Sequence, residues 1–426
     1  MPLPALEPRL QRRYQQLVKE HLHTSEQNAA GARALPSVNE AMASTQAAWR
    51  YYANDAVTLP SLMAPLQQYA RRVLPQACRT YGLVLHDWSE LRYGAHTSKP
   101  DRKKLGKDWG YELATALLIS DHTGAPLAPV SLSLWAAEGW QTTHDEQLRA
   151  ELSPLDLTTQ TMTHLQQQGW ARRLVHIIDR EGDSIFHYRQ WEADDHLFLV
   201  RANEGQRVDW AGRALLLRAV AEQLPLRPEQ AVEIAPQVTG QLLVGETTIL
   251  ITRPAFPRAR AGRRRWIKGA PLSLRLLVCQ LRLPDETVAA EWYLLSNVSA
   301  AVRAAQLAEW YYWRWRIESY FKLLKSHGCQ VEQWKQTNAA AIGKRLLVAA
   351  MACVVVWQLQ RARAPEEVAV RDLLLRLSGR QVRRGHVTAP ALLAGLWTFL
   401  AAIELLEHYD LADLKRMARL AVPGYS

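Results

Sequence analysis

The sequence predicts an α/β protein, a layered core of strands and helices interrupted by a β-rich stretch and flanked by helices at both ends. Three observations point there. Short apolar runs with polar punctuation alternate with helical spacing between residues 81 and 202. Residues 203–300 alternate strand-like pieces with loops, and both ends of the chain carry apolar residues at the helical period. With 426 residues, 48% of them apolar and 22% charged, the chain has room for two or three domains and an ordinary globular composition.

Taken in order, residues 1–75 read as a helical domain, rich in Gln, Glu, Arg and Ala, with loop signals at "AAGARALPS", Pro60 and Pro65. The period then changes. "YGLVLHDWS" (81–89), "ELATALLIS" (112–120) and "PLAPVSLSLWA" (126–136) predict three consecutive strands. "LDLTTQTMTHLQQQGW" (155–170) has helical spacing, "RLVHIIDREGDSIFHYRQW" a strand leading into a helix, and "HLFLVRA" (196–202) a further strand, so 76–202 forms the first part of the core. Residues 203–300 form a β-rich insertion ("AVEIAPQV", "TTILITR", "SLRLLVCQLRL", "EWYLLSN") with a helix only near 213–223. Helix returns over 301–362 to complete the core. Its apolar run Leu346–Trp357 is too short to span a bilayer and reads as a buried helix. Residues 363–426 form a C-terminal helical region.

Lys and Arg number 52 against 41 Asp and Glu, a net charge of +11, which favours a polyanionic partner such as nucleic acid or an anionic membrane surface. Cys78, Cys279, Cys329 and Cys353 lie far apart, with neither disulfide-framework nor zinc spacing, and read as reduced thiols of a cytoplasmic protein. The start "MPLPALEPRLQRRYQQ" has no apolar segment of the signal-peptide kind.

The chemistry concentrates in "YYWRWRIESYFKLLK" (311–325). At about 100° per residue, Tyr311, Arg314, Glu318, Lys322 and Lys325 fall within an arc of roughly 80° on a continuous helix. A solvated face with an ion pair from Glu318 to Lys322 is one reading. The excess of cations over the single acid favours another: a phosphate-facing stripe whose carboxylate pairs with a divalent metal, which takes one or two carboxylates from the protein and leaves other positions to water and phosphate. A two-metal site needs further acids. Asp87 after "LVL" and Asp179 after "LVHII" stand at strand ends, the edge where open α/β sheets bind ligands. Each could equally cap a loop or helix, and Glu90, Glu181 and Asp183 are rivals for the role.

The stretch 311–325 resembles the Tyr-x2-Arg-x3-Glu-x6-Lys signature of bacterial cut-and-paste transposases of the insertion sequence 4 family, matched by Tyr311, Arg314, Glu318 and Lys325 without a gap. "IIDREGD" resembles that family's second-aspartate motif and "LHDWSEL" its first, with Trp88 departing from the threonine there. Fainter similarity links residues 39–58 to the family's N-terminal DNA-binding domain and 388–406 to its C-terminal dimerisation region. The resemblance implies an RNase H-like core in which Asp87, Asp179 and Glu318 hold two Mg²⁺ ions, with Mn²⁺ able to substitute. It implies water attack at a transposon end, a hairpin intermediate, and joining of the 3′ end to target DNA by a homodimer working on double-stranded DNA at the bacterial nucleoid. No membrane and no small-molecule substrate are expected. Tyr311, Arg314, Lys322 and Lys325 would hold phosphates of the cut strand.

The resemblance also makes Trp292 a platform for a flipped base and Arg201 a DNA contact, against a core tryptophan and a surface arginine. The run 253–269, with Arg253, Arg258, Arg260, Arg263, Arg264, Arg265 and Lys268, reads as a loop gripping DNA backbone or as a solvated loop. His86, His176, His187 and His327 show no ligand spacing. The rival functions are a nuclease without strand transfer and a non-catalytic DNA-binding inhibitor.

Overall fold

The computed structural model describes residues 6–23, 38–150, 152–235, 238–255, 266–325, 328–380 and 387–422. Three helices, α1 (Pro8–His23), α2 (Val38–Ala53) and α3 (Leu59–Ala77), precede the first strands, β1 (Tyr81–Arg92), β2 (Lys103–Leu105), β3 (Asp108–Ser120), β4 (Pro126–Ala136) and β5 (Gly139–Thr142). Then come α4 (Pro154–Gln167), β6 (Arg173–Ile178), α5 (Ile185–Ala193) and β7 (Leu197–Arg201). The β-rich stretch supplies β8 (Arg207–Trp210), β9 (Arg213–Leu216), α6 (Leu217–Ala221), β10 (Arg227–Ala235), β11 (Val238–Ile251), β12 (Leu272–Arg282) and β13 (Val288–Ser296). Six helices close the chain: α7 (Ala304–Tyr312), α8 (Trp315–Leu324), α9 (Ala339–Gln360), α10 (Pro365–Leu377), α11 (Ala389–His408) and α12 (Leu411–Ala421).

All thirteen strands join one mixed sheet, ordered β5-β4-β3-β1-β6-β7-β13-β12-β11-β8-β9, with β10 on β11 and β2 on β3. The β1–β6 and β6–β7 pairs are parallel, and the other ladders are antiparallel. The centre is apolar on both faces, with Leu83, Val84 and Leu85 fully buried, as parallel strands covered on both sides require. The β-rich stretch rejoins the sheet where β13 pairs with β7, Leu294 opposite Arg201.

Local signals place the helices around the sheet. Thr58 and Ser153 open α3 and α4 as capping boxes, Ser61 and Asp156 returning the bond, and the Asn338 side chain caps α9. The α3 and α9 helices lie on β4, and residues of α1, α2 and α3 share one core with β1, β3, β4 and α9. A second core forms between α5 and the faces of β7, β11 and β12. Two helices, α9 and α11, are long and apolar enough to cross a membrane, but 83% of the apolar window of α9 is buried inside the protein, against 22% for α11.

Three expectations change. β1 does not end at Asp87: it continues to Arg92 because β3 pairs with it along its whole length, Asp87 opposite Thr115. The stretch 311–325 is not one helix but α7 and α8, with Trp313 and Arg314 in a turn between them. Residues 213–216 are the strand β9, and helix there is limited to α6.

Candidate active site

The parallel register of β1 and β6 brings two of the acids together. His86 pairs with Ile178, so the next residues, Asp87 and Asp179, stand side by side, about 4.8 Å being the usual spacing of neighbouring strands. Beyond that point the strands part. β6 gives way to a 3₁₀ turn, Arg180–Gly182, whose first amide pair is organised by Asp179: its Oδ1 accepts the Glu181 N–H at 2.9 Å. Gly182 makes this fold-back possible, since a Cβ there would lie 2.7 Å from Ile178 Cγ2 and 3.2 Å from Val200 Cγ1.

The third acid arrives from α8. Ile317, Tyr320, Phe321 and Leu324 bury one side of this helix, and the half-buried Glu318 looks out on the other. The turn before it is tightened by i→i−3 bonds, Arg314 N–H to the Tyr311 carbonyl at 3.0 Å and Ile317 N–H to the Arg314 carbonyl at 3.1 Å. That turn aims the Arg314 guanidinium between two of the acids. Its Nη1 lies 3.0 Å from Asp87 Oδ2 and its Nη2 lies 3.3 Å from Glu318 Oε1.

Electrostatics confirms the crowding. Burial pushes the Asp87 carboxyl up to about 6, Arg314 and the Trp88 amide pull it back down, and Asp179 and Glu318 raise it further. Arg314 loses some basicity to burial but is held above its usual value by Asp87, Tyr311, Asp179 and Glu318. These groups line a cleft of about 390 Å³ with Trp88, Lys322 and Lys325. Lys322 is exposed. Lys325 is partly tied down: it donates to the Glu90 carbonyl and lies 3.9 Å from Glu332, and burial lowers its pKa.

No protein-family model and no curated protein matches the chain. Among solved structures it is similar to a piggyBac transposase in a synaptic complex with hairpin DNA, with a TM-score of 0.37 and 10% identity over 98% of this chain and 76% of that one. A likeness that loose fixes neither fold nor function.

The remaining expected residues divide. Tyr311 is not on an open stripe: it is 5% exposed, its ring meets Trp292 edge-on at 6.3 Å, and its hydroxyl bonds to Arg201. The helix break explains this, because the arc of five residues assumed one continuous helix. Tyr311, Trp292 and Arg201 thus form a separate cluster along the β7–β13 ladder. Among the rivals, Asp183 is committed to the Tyr188 hydroxyl at 2.9 Å and the Asn203 N–H at 2.8 Å, and Glu90 pairs with Arg92 at 3.0 Å. Glu181 is exposed beside Asp179, its pKa raised by burial and by that neighbour.

Among the described residues no three His, Cys, Asp or Glu side chains are close enough to hold a metal ion. His86 and His176 hydrogen-bond to each other at 2.8 Å inside the sheet, and burial keeps both neutral. His187 is held by Asp156 and Ser184. His327 and Arg258, Arg260, Arg263, Arg264 and Arg265 lie outside the described residues.

Sequence reasoning missed a second, larger cleft of about 830 Å³ beside the acids, with walls that include Trp88, Phe186, Trp266, Arg180 and Arg253. Its residues come from four separated segments, so no local spacing announces it. The only signal was Trp88, already out of place for the motif around Asp87.

Proposed function

We propose that the chain is a DNA transposase of the insertion sequence 4 kind, which binds transposon ends, cuts them and joins the freed 3′ ends to target DNA. One observation carries this reading: Asp87 and Asp179 at consecutive register positions, with Glu318 joined to Asp87 through a single arginine. The strand order β4-β3-β1-β6-β7, antiparallel on one side of β1 and parallel on the other, supports an RNase H-like core.

The donor set fits a hard divalent cation such as Mg²⁺ or Mn²⁺, being carboxylate oxygens that raise one another's pKa and lack positive charge beyond Arg314. Two such ions, when bound, would activate water and stabilise the departing 3′ oxygen. The chain's own residues do the rest. Arg314 neutralises Asp87 and Glu318 until cation and phosphate arrive, and then turns to the phosphate. Lys322 and Lys325, on the rim, hold the strand in line. Trp292, half-buried beside Tyr311 and Arg201, offers a ring on which a base displaced by a hairpin could stack.

The N-terminal helices 1–75 would grip the transposon end, and the C-terminal region 363–426 would pair two protomers. Exposed Ile403 and Leu406 on α11 and Leu411, Met417 and Leu420 on α12 suit that second role. The protein would act in the bacterial cytoplasm.

The test is cleavage of a labelled duplex bearing the element's own terminal repeat, in Mg²⁺, with wild type and Glu318→Ala compared on a denaturing gel. Nicked and hairpin products from the wild type that vanish in the variant are expected. A wild type that binds the end tightly yet leaves it whole in both Mg²⁺ and Mn²⁺ would sink the catalytic reading.

A further inference from the structure

We infer that the larger cleft beside the acids receives an unstacked nucleobase of the bound DNA strand, an inference that rests on the DNA-processing reading above. Its volume, about 830 Å³, falls within the range of small-molecule pockets and leaves room for a base with its sugar. Its walls favour a flat, aromatic guest. Trp88 comes from β1, Phe186 from α5 and Trp266 from beyond β11, and Trp266 is 60% exposed. A base stacks on such rings whatever its identity, because every base has a π-face.

The charges point to a base and not to a phosphate as the guest. Arg180 and Arg253 face three carboxylates there, Asp156, Glu181 and Asp183. Two of those acids are already committed: Asp156 accepts from Ser153 and lies 3.2 Å from His187, and Asp183 accepts from Tyr188 and Asn203. What remains for a guest is one acceptor, Glu181, suited to the exocyclic amino group of adenine, cytosine or guanine, and two arginines for the flanking phosphates. The indole N–H of Trp88 is buried without a hydrogen-bond partner among the described residues, so this wall is incompletely satisfied as it stands.

Position completes the argument. Trp88 lines both this cleft and the smaller one that holds Asp87, Asp179 and Glu318, and Glu181 follows Asp179 by two residues. A strand whose phosphate sits over the acids would therefore bring a neighbouring base to the mouth of the larger cleft. This place is distinct from Trp292, which lies with Tyr311 on the β7–β13 side.

The experiment uses the full chain and two probes, a short single-stranded oligonucleotide carrying the fluorescent base 2-aminopurine and the matching duplex, at raised salt to weaken phosphate contacts. The wild type should quench the 2-aminopurine of the single strand. Trp266→Ala, an exposed position that the fold tolerates, should lose the quench and bind the single strand roughly five- to hundredfold more weakly, with duplex affinity unchanged. Trp266→Phe should restore much of both. Single-strand binding and quenching that are equal in wild type and Trp266→Ala would overturn the inference, as would a wild type that binds duplex but never quenches the single strand; the transposase reading survives either result. A wild type that binds neither probe removes both.

Discussion

At the residue scale the centre of the site is Arg314, a single guanidinium shared by Asp87 and Glu318. Both it and Asp87 are mostly buried, with side-chain exposures of 12% and 15%, so removing it strands a carboxylate in a poorly hydrated place. Arg314→Gln should cost about 2–4 kcal/mol of stability in metal-free buffer. Added Mg²⁺ should then raise the melting temperature of the variant more than that of the wild type, because the ion supplies the missing charge; equal shifts would show that the arginine and the cation do not share a place. Much of this was readable from the sequence. The spacing of Arg314, Glu318, Lys322 and Lys325 marks them as one face, and the acids after "LVL" and "LVHII" mark a sheet edge. The burial of Tyr311 was not readable, since a turn between two helices leaves no mark in a stretch free of Gly and Pro.

At the element scale the turn after β6 decides where Asp179 points. Gly182 lies under Ile178 and Val200 with no space for a methyl group. Gly182→Ala should therefore shift the turn, costing roughly 1–3 kcal/mol, and should lower cleavage far more than duplex binding. Chemical denaturation paired with the gel assay measures both, and full activity would show that the turn has slack. Strand positions were legible where apolar runs are dense, as in β1, β4 and β6. The end of β1 was not, because "DWSELR" is polar and its strand character comes from β3, a partner some twenty or more residues away.

At the scale of the whole molecule the buried histidines set a pH limit. His21, His86 and His144 are depressed to about 3 and His176 lies well below its usual value, all chiefly by burial. Their folded pKa values lie below the unfolded value of about 6.5, so the unfolded chain takes up protons first as pH falls and stability drops from about 6.5 toward 3. At pH 5.5 each should cost roughly 1.4 kcal/mol. Asp87 opposes them weakly: its folded pKa is raised, so the stability it costs at neutral pH is regained as pH falls from about 6 to 3.8. Urea midpoints should therefore fall between pH 7.5 and 5.5, and His144→Gln should flatten the slope; a flat profile in the wild type would contradict the burial. Neither the histidine contacts nor the single sheet could be read from sequence, because both depend on which distant strands pair.

The pairing of β7 with β13 has one more consequence. Chain leaving the sheet at Arg201 returns to it at a strand directly alongside, so everything from Ala202 to Thr287 is a loop whose two ends meet. Closing such a loop costs only slightly more as it lengthens. Evolution can then enlarge, trim or exchange this part while the two aspartates and the helix carrying Glu318 keep their places, so that a change in what the protein grips need not disturb where it cuts.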